Sequence, residues 1–156
     1  MNPTISRQVR LTSRPRGKPV AANFALVPTE LSPLQDGEVL VRNLFMSVDP
    51  YMRGRMRAAK SYAAGFEVGK PLQGGGVGEV IESRSESLPV GSYVSGMVGW
   101  ENYTTAPAEG LLKVDPALAP LSAYLGALGM PSMTAWHGMK EIGKAKQGET
   151  VVISAA

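Results

Sequence analysis

Three short stretches hold residue types that could act on a small molecule. Met46-Ser-Val-Asp-Pro-Tyr-Met-Arg-Gly-Arg-Met56 places a carboxylate, Asp49, two residues before a phenol, Tyr51, with Pro50 between them. A strand running straight into a proline turn would hold both side chains at a fixed angle. Asp49 is expected to cap that turn through the backbone N–H groups that follow it. Tyr51 offers an apolar ring and a hydroxyl, which suit a core or a flat ligand equally. Gln73-Gly-Gly-Gly-Val-Gly78 invites a phosphate-loop reading. Neither register puts glycine at all three positions of G-x-G-x-x-G, and the Gly-Lys-Ser/Thr ending of a P-loop is missing. Glycines there suit a strand that bends or that another backbone approaches closely; the other use of the missing side chains is room for a substrate. In Met97-Val-Gly-Trp-Glu-Asn-Tyr103 the two aromatics would face opposite sides of a strand, so one of them belongs to the core.

Several chemistries are excluded. The 156 residues contain no cysteine and one histidine, which removes disulfides, thiolate catalysis and any zinc site built on cysteine. His137, beside Trp136 and with no carboxylate next to it in sequence, reads as a partly buried histidine rather than a base. No acid–base dyad, nucleophile elbow or metal set can be assembled, so no catalytic residue is assigned and no metal is expected. The net charge of +3 comes from a basic front half, with Arg7, Arg10, Arg14, Arg16 and Lys18 followed by Arg53, Arg55, Arg57 and Lys60. These stretches lack the interleaved aromatics of a nucleic-acid platform, and a solvated or phosphate-facing surface fits them better. No apolar stretch is long enough to span a bilayer, and the N-terminus has no signal-peptide core.

The elements that must position these residues are short and mostly extended. Strands are expected at 7–13, at 24–31 (an edge strand, because of Pro28), at 38–48 after an Asp36-Gly37 turn, and at 77–83, 93–98, 100–105 and 111–115. A short helix should begin at Pro50, and 57–70 reads as a mobile loop. From Leu121 the spacing becomes helical, with Pro131 opening a helix and Gly143 capping it. Glu149-Thr-Val-Val-Ile-Ser154 reads as a buried strand of a parallel α/β sheet. Ligands in such sheets sit beyond the carboxyl ends of the strands, so the chain is expected to end where a nucleotide site would begin. The expected division is residues 1–120 as a β-barrel and 121–156 as the start of an α/β domain.

Residues 46–56, Pro71-Leu-Gln-Gly-Gly-Gly-Val-Gly78 and Gly99-Trp-Glu-Asn-Tyr103 are followed, in order, by Lys113-Val-Asp115, Gly126-Ala-Leu-Gly-Met-Pro-Ser-Met-Thr-Ala135 and Gly148-Glu-Thr-Val-Val-Ile-Ser-Ala-Ala156. Together the six blocks closely resemble the zinc-independent, NADP-dependent branch of the medium-chain dehydrogenases/reductases. That branch includes prostaglandin and leukotriene reductases, plant alkenal double-bond reductases and curcumin-reductase-like proteins. The resemblance implies a mainly β fold: a GroES-like barrel followed by the truncated start of a Rossmann domain. It implies NADP as cofactor, a small-molecule enone or enal as substrate, a cytoplasmic location and a homodimeric full-length form. Pro50, Tyr51, Met130 and Thr134 are expected to approach the cofactor, and Tyr51, Met97 and Trp100 the substrate. Some plant relatives place a substrate-contacting tyrosine where this chain has Gly75, so their substrate preference does not transfer.

The family's pyrophosphate loop, its 2′-phosphate and catalytic residues, and the strands completing its barrel all lie beyond the matched blocks. The expectation is therefore the N-terminal part of an NADPH-dependent reductase of activated C=C bonds, inactive on its own. Residues from about 121 onward should be poorly ordered or packed against another copy, since an unpaired apolar strand invites association. Two alternatives stand beside it, a quinone reductase of the same superfamily and a non-enzymatic GroES-like binding module.

Overall fold

The computed structural model describes residues 4–59 and 63–154. The expected mobile loop at 57–70 therefore lies partly outside the described residues. Among the described residues seven strands and two α-helices form in the order β1 (Ile5–Leu11), β2 (Phe24–Glu30), β3 (Glu38–Met46), α1 (Tyr51–Arg55), β4 (Gln73–Ser83), β5 (Tyr93–Gly99), β6 (Tyr103–Pro107), β7 (Leu111–Val114) and α2 (Met130–His137). The mainly β expectation holds. Five strands make one antiparallel sheet in the order β6-β3-β4-β5-β7, and β1 with β2 makes a separate hairpin. Pro28 lies opposite Arg7 on β2, a strand with a single neighbour. An edge is where a residue without an N–H does least harm.

Among the described residues the ladders do not close into a cylinder. The hairpin crosses the sheet through isolated bridges, Gln8 to Glu101 and Arg10 to Pro71. Val9 N–H donates to Trp100 O at 2.7 Å, and Leu72 N–H donates to Val9 O at 3.0 Å. A side-chain network reinforces this seam. Gln8 Nε2 donates to Glu101 Oε2 at 2.6 Å, Thr104 Oγ1 to Glu101 Oε1 at 3.1 Å, and Arg10 to Gln8 Oε1 and Thr29. Gln8, Ser6 and Thr104 are buried, so this partnering is what makes their burial tolerable.

Two apolar clusters form. Val39, Val41, Val80, Leu88, Val94 and Ala108 fill the sheet, while Leu11, Met52, Met56, Phe66 and Leu72 pack between the hairpin, α1 and the segment before β4. A fully buried leucine or valine such as Leu11 or Val80 contributes about 1.5–3 kcal/mol. Much of the basic front half works here. Arg14 donates to Met56 O at 3.0 Å and Phe66 O at 3.1 Å, bracketing the segment between them. Arg53 holds Pro15 O and Gly17 O, while Arg55 holds Ala64 O and stacks 4.2 Å from the Phe66 ring centre. Arg42 pairs across strands with Glu79 at 2.5 Å, and that bond raises its guanidinium pKa.

The last third departs from expectation. Residues Leu121–Leu125 form a 3-10 turn, and α2 runs on into a single π-type turn, Gly138–Ile142. Gly143 ends that turn as expected, but the left-handed residue is Lys144 (φ 49°). His137 is exposed rather than partly buried. The segment 149–154 forms no strand, and Val152 is 87% exposed. A strand exists only through its ladder, and no described residue pairs with this one. Leu128, Met130, Met133, Trp136 and Ile142 are exposed as well.

Candidate functional site

The end of β3, the start of α1, the middle of β4 and β5, and the start of α2 surround one cavity of about 410 Å³. Its placement follows from local chain chemistry. Ser47 N–H donates to Gly75 O at 2.8 Å, so the segment leaving β3 stays beside β4. Pro50, with φ −56°, then sets the turn, Met52 N–H bonds Asp49 O, and buried Met52 anchors the helix. Tyr51, the first helical residue, is half-buried; it packs on the second apolar cluster and lines the cavity. Arg53 and Arg55 fall in the last turn, where cations complement the helix dipole.

Across the sheet Met97 stands opposite Gly75 on β5. Met130 and Pro131 close the cavity from the start of α2, and Tyr124 and Leu125 close it from the 3-10 turn. Tyr124 holds that turn in place, its hydroxyl donating to Asp115 O at 2.7 Å and accepting from Asp115 N–H at 3.2 Å. A Cβ added at Gly75 would meet only Leu125 at 3.6 Å and Ser47 at 3.7 Å, ordinary contacts. At Gly74, Gly76 and Gly78 it would collide with Met52, Val98 and Val41 respectively. The glycine run is thus a tightly packed central strand, with one position, Gly75, where an added side chain would meet only ordinary contacts.

Of the residues expected to approach the cofactor or the substrate, Tyr51, Met97 and Met130 come together in this cavity. The others do not line it. Pro50 is exposed at the helix cap, and Thr134 is exposed with its hydroxyl donating to Met130 O at 2.9 Å. Trp100 packs on the second apolar cluster and borders a different cavity of about 380 Å³, with Val9 and Leu26. Its indole N–H is buried without an acceptor among the described residues.

Asp49 corrects its sequence reading. No side chain caps α1; instead Ser47 Oγ donates to Asp49 Oδ2 at 2.8 Å, and both residues line the cavity. A carboxylate one residue before a helix cap has a nearer donor in the preceding strand than in the helix amides. The Ser-x-Asp spacing at a strand end was the available signal, and the capping rule masked it. Ser47, Tyr124 and Leu125 were not visible as site residues, because each is brought in by tertiary contact.

A cavity of this size falls within the usual range for small-ligand sites. Its walls are largely apolar, with Tyr51, Met97, Leu125 and Met130 around a floor left open at Gly75 and one polar edge at Ser47 and Asp49. That is suited to a flat ring, nicotinamide included. Fold and site together define a mainly β domain that shapes a small-molecule cavity. Residues 7–114 match the family described as the N-terminal domain of oxidoreductase, and the chain belongs to that family.

Two curated relatives give the resemblance detail. The NADPH-dependent curcumin reductase of Escherichia coli (strain K12) is 40% identical over 151 residues, 97% of this chain and 44% of the relative. The NADP(+)-dependent 2-alkenal reductase of Nicotiana tabacum is 40% identical over 156 residues, 97% of this chain and 46% of the relative. Among solved structures, CurA from Vibrio vulnificus in complex with NADPH superposes with a TM-score of 0.83 at 40% identity, over 92% of this chain and 42% of that one. The chain thus spans less than half the length of these relatives.

Proposed function

We propose that this chain is the N-terminal, substrate-shaping domain of a zinc-independent, NADPH-dependent oxidoreductase that reduces the activated C=C bond of α,β-unsaturated ketones and aldehydes. The observation that carries the reading is the cavity in which Tyr51, Met97 and Met130 converge over the open Gly75 position. The activities of the curcumin and 2-alkenal reductases it resembles point the same way. The reading includes a homodimeric, cytoplasmic full-length form, with residues 1–120 as the barrel-like domain and those from 121 leading into a cofactor domain.

When bound, the nicotinamide supplies hydride to the β-carbon of the substrate. Tyr51 and Met130 would hold its ring, with Pro50 and Thr134 nearby. Tyr51 and Met97 would flank the substrate, and Leu125 with Met130 would exclude water, strengthening every electrostatic interaction inside. Charge develops on the substrate carbonyl oxygen, so a donor aimed at that atom supplies much of the catalysis. The hydroxyls of Ser47 and Tyr124 already donate to Asp49 and Asp115. Neither is therefore assigned that task, and this domain carries no assigned catalytic group. The glycine run is a sheet strand rather than a phosphate cradle, so the 156 residues alone are expected not to turn over.

The test is a chimera in which these residues replace the matching segment of the Escherichia coli curcumin reductase. NADPH-dependent reduction of an enone, with the quinone rate lower and loss of at least about tenfold in Tyr51→Ala, supports the reading. A faster quinone rate would move it to a quinone reductase. No turnover of either by a folded chimera, or turnover by the 156-residue chain alone, would overturn it.

A further inference from the structure

The cavity carries one feature that shaping a hydrophobic enone does not require. Among its lining residues Asp49 is the sole ionisable carboxylate, half-buried, and no cationic group among the described residues pairs with it. Its side chain does not cap α1. Among the described residues Ser47 Oγ is its one side-chain donor, at 2.8 Å, to Oδ2. The pair therefore presents two acceptors side by side on the cavity wall, the remaining carboxylate oxygen and the lone pairs of the serine hydroxyl. A carboxylate kept against largely apolar walls is unfavourable unless donors reach it. Two adjacent acceptors match a ligand hydroxyl, or two hydroxyls on neighbouring carbons.

We infer that Ser47 and Asp49 form a hydroxyl-accepting subsite, which ranks ligands by the hydroxyl they present beside the reacting ring. The inference rests on the cavity being the ligand site of the reductase proposed above. The same chemistry has two sources, the ribose attached to a nicotinamide and a hydroxyl carried by the enone. A charge-assisted hydrogen bond of this kind corresponds to about ten- to hundredfold in affinity. The carboxylate also disfavours ligands with a negative charge at that position, which makes the pair a filter as well as a holdfast.

The experiment measures binding of two matched pairs of probes to the 156-residue chain by calorimetry or saturation-transfer NMR. One pair is reduced nicotinamide riboside, which carries the ribose without a phosphate, against 1-benzyl-1,4-dihydronicotinamide, which lacks the ribose. The other is 4-(4-hydroxyphenyl)but-3-en-2-one against 4-phenylbut-3-en-2-one. In the wild type the hydroxylated member of at least one pair binds about tenfold or more tighter. That gap closes in Asp49→Asn and narrows in Ser47→Ala, and the pair that shows it identifies the source. Should Asp49→Asn fail to fold by circular dichroism, Ser47→Ala alone decides, since Ser47 keeps its backbone bond to Gly75. No gap in either pair, or a gap untouched by the folded variants, overturns the inference. Loss of turnover in the chimera with the gap intact would overturn the reductase reading and leave this one standing.

Discussion

A glycine means different things at adjacent positions of β4. At Gly76 an added methyl collides with Val98 Cγ2 and crowds Phe45 O at 3.3 Å; at Gly78 it meets Val41 and the Arg42 carbonyl oxygen at 2.5 Å. Overpacking of this kind costs about 1–3 kcal/mol. Gly76→Ala and Gly78→Ala should each lower the urea midpoint accordingly, while Gly75→Ala, meeting only ordinary contacts, should change stability by less than about 0.5 kcal/mol. A second-site change separates the two costly positions. Val98→Ala should restore much of the stability lost in Gly76→Ala, whereas nothing on a side chain can relieve a clash with the Arg42 backbone. Equal losses at all three positions would refute this division. The sequence offered the run as a strand that bends or is closely approached, or as room for a substrate, because four glycines in five residues display no side-chain pattern to sort them.

At the scale of elements, the arginines are structural clamps. Arg14 spans Met56 O and Phe66 O, and the planar guanidinium reaches both in a way an ammonium does not. Arg14→Ala should cost about 1–2 kcal/mol and speed amide exchange in residues 63–70, with Arg14→Lys rescuing little; unchanged exchange would reject the clamp. Glu101 plays the corresponding part at the hairpin seam. Glu101→Ala leaves Gln8, Ser6 and Thr104 without their carboxylate and should lower stability by about 2–3 kcal/mol by denaturant titration. Such roles were not legible in the sequence, where the basic run read as a solvated or phosphate-facing surface. The strands were legible where β-branched residues alternate, as in Glu38–Met46. They were missed at the start of β4, where glycine hides the period, and displaced at β6, where Trp100 to Asn102 bridge to the hairpin before the strand begins at Tyr103. Glu149–Ser154 has strong strand propensity and still makes no strand, since propensity does not supply a partner.

The whole molecule carries an uneven surface. Met133 is 71% and Trp136 58% exposed on α2, with Ile142 and Val152 further along. Large apolar side chains exposed in such number along one segment favour association. The chain should therefore sediment with a concentration-dependent mass, and Trp136→Glu with Ile142→Glu should restore a single monomeric species without lowering the melting temperature. A wild type that stays monomeric at high concentration would count against this. The seam between hairpin and sheet has a consequence for biosynthesis. Gln8 and Glu101 are 93 positions apart, so the hairpin leaves a ribosome well before the segment that seats it. At roughly 5–20 residues per second, the β1–β2 hairpin, complete at Glu30, waits about 4–14 s for its acceptor segment, with Leu26 on an open edge throughout. Chaperone capture of nascent chains should concentrate in that interval and cease once Asn102 has cleared the exit tunnel.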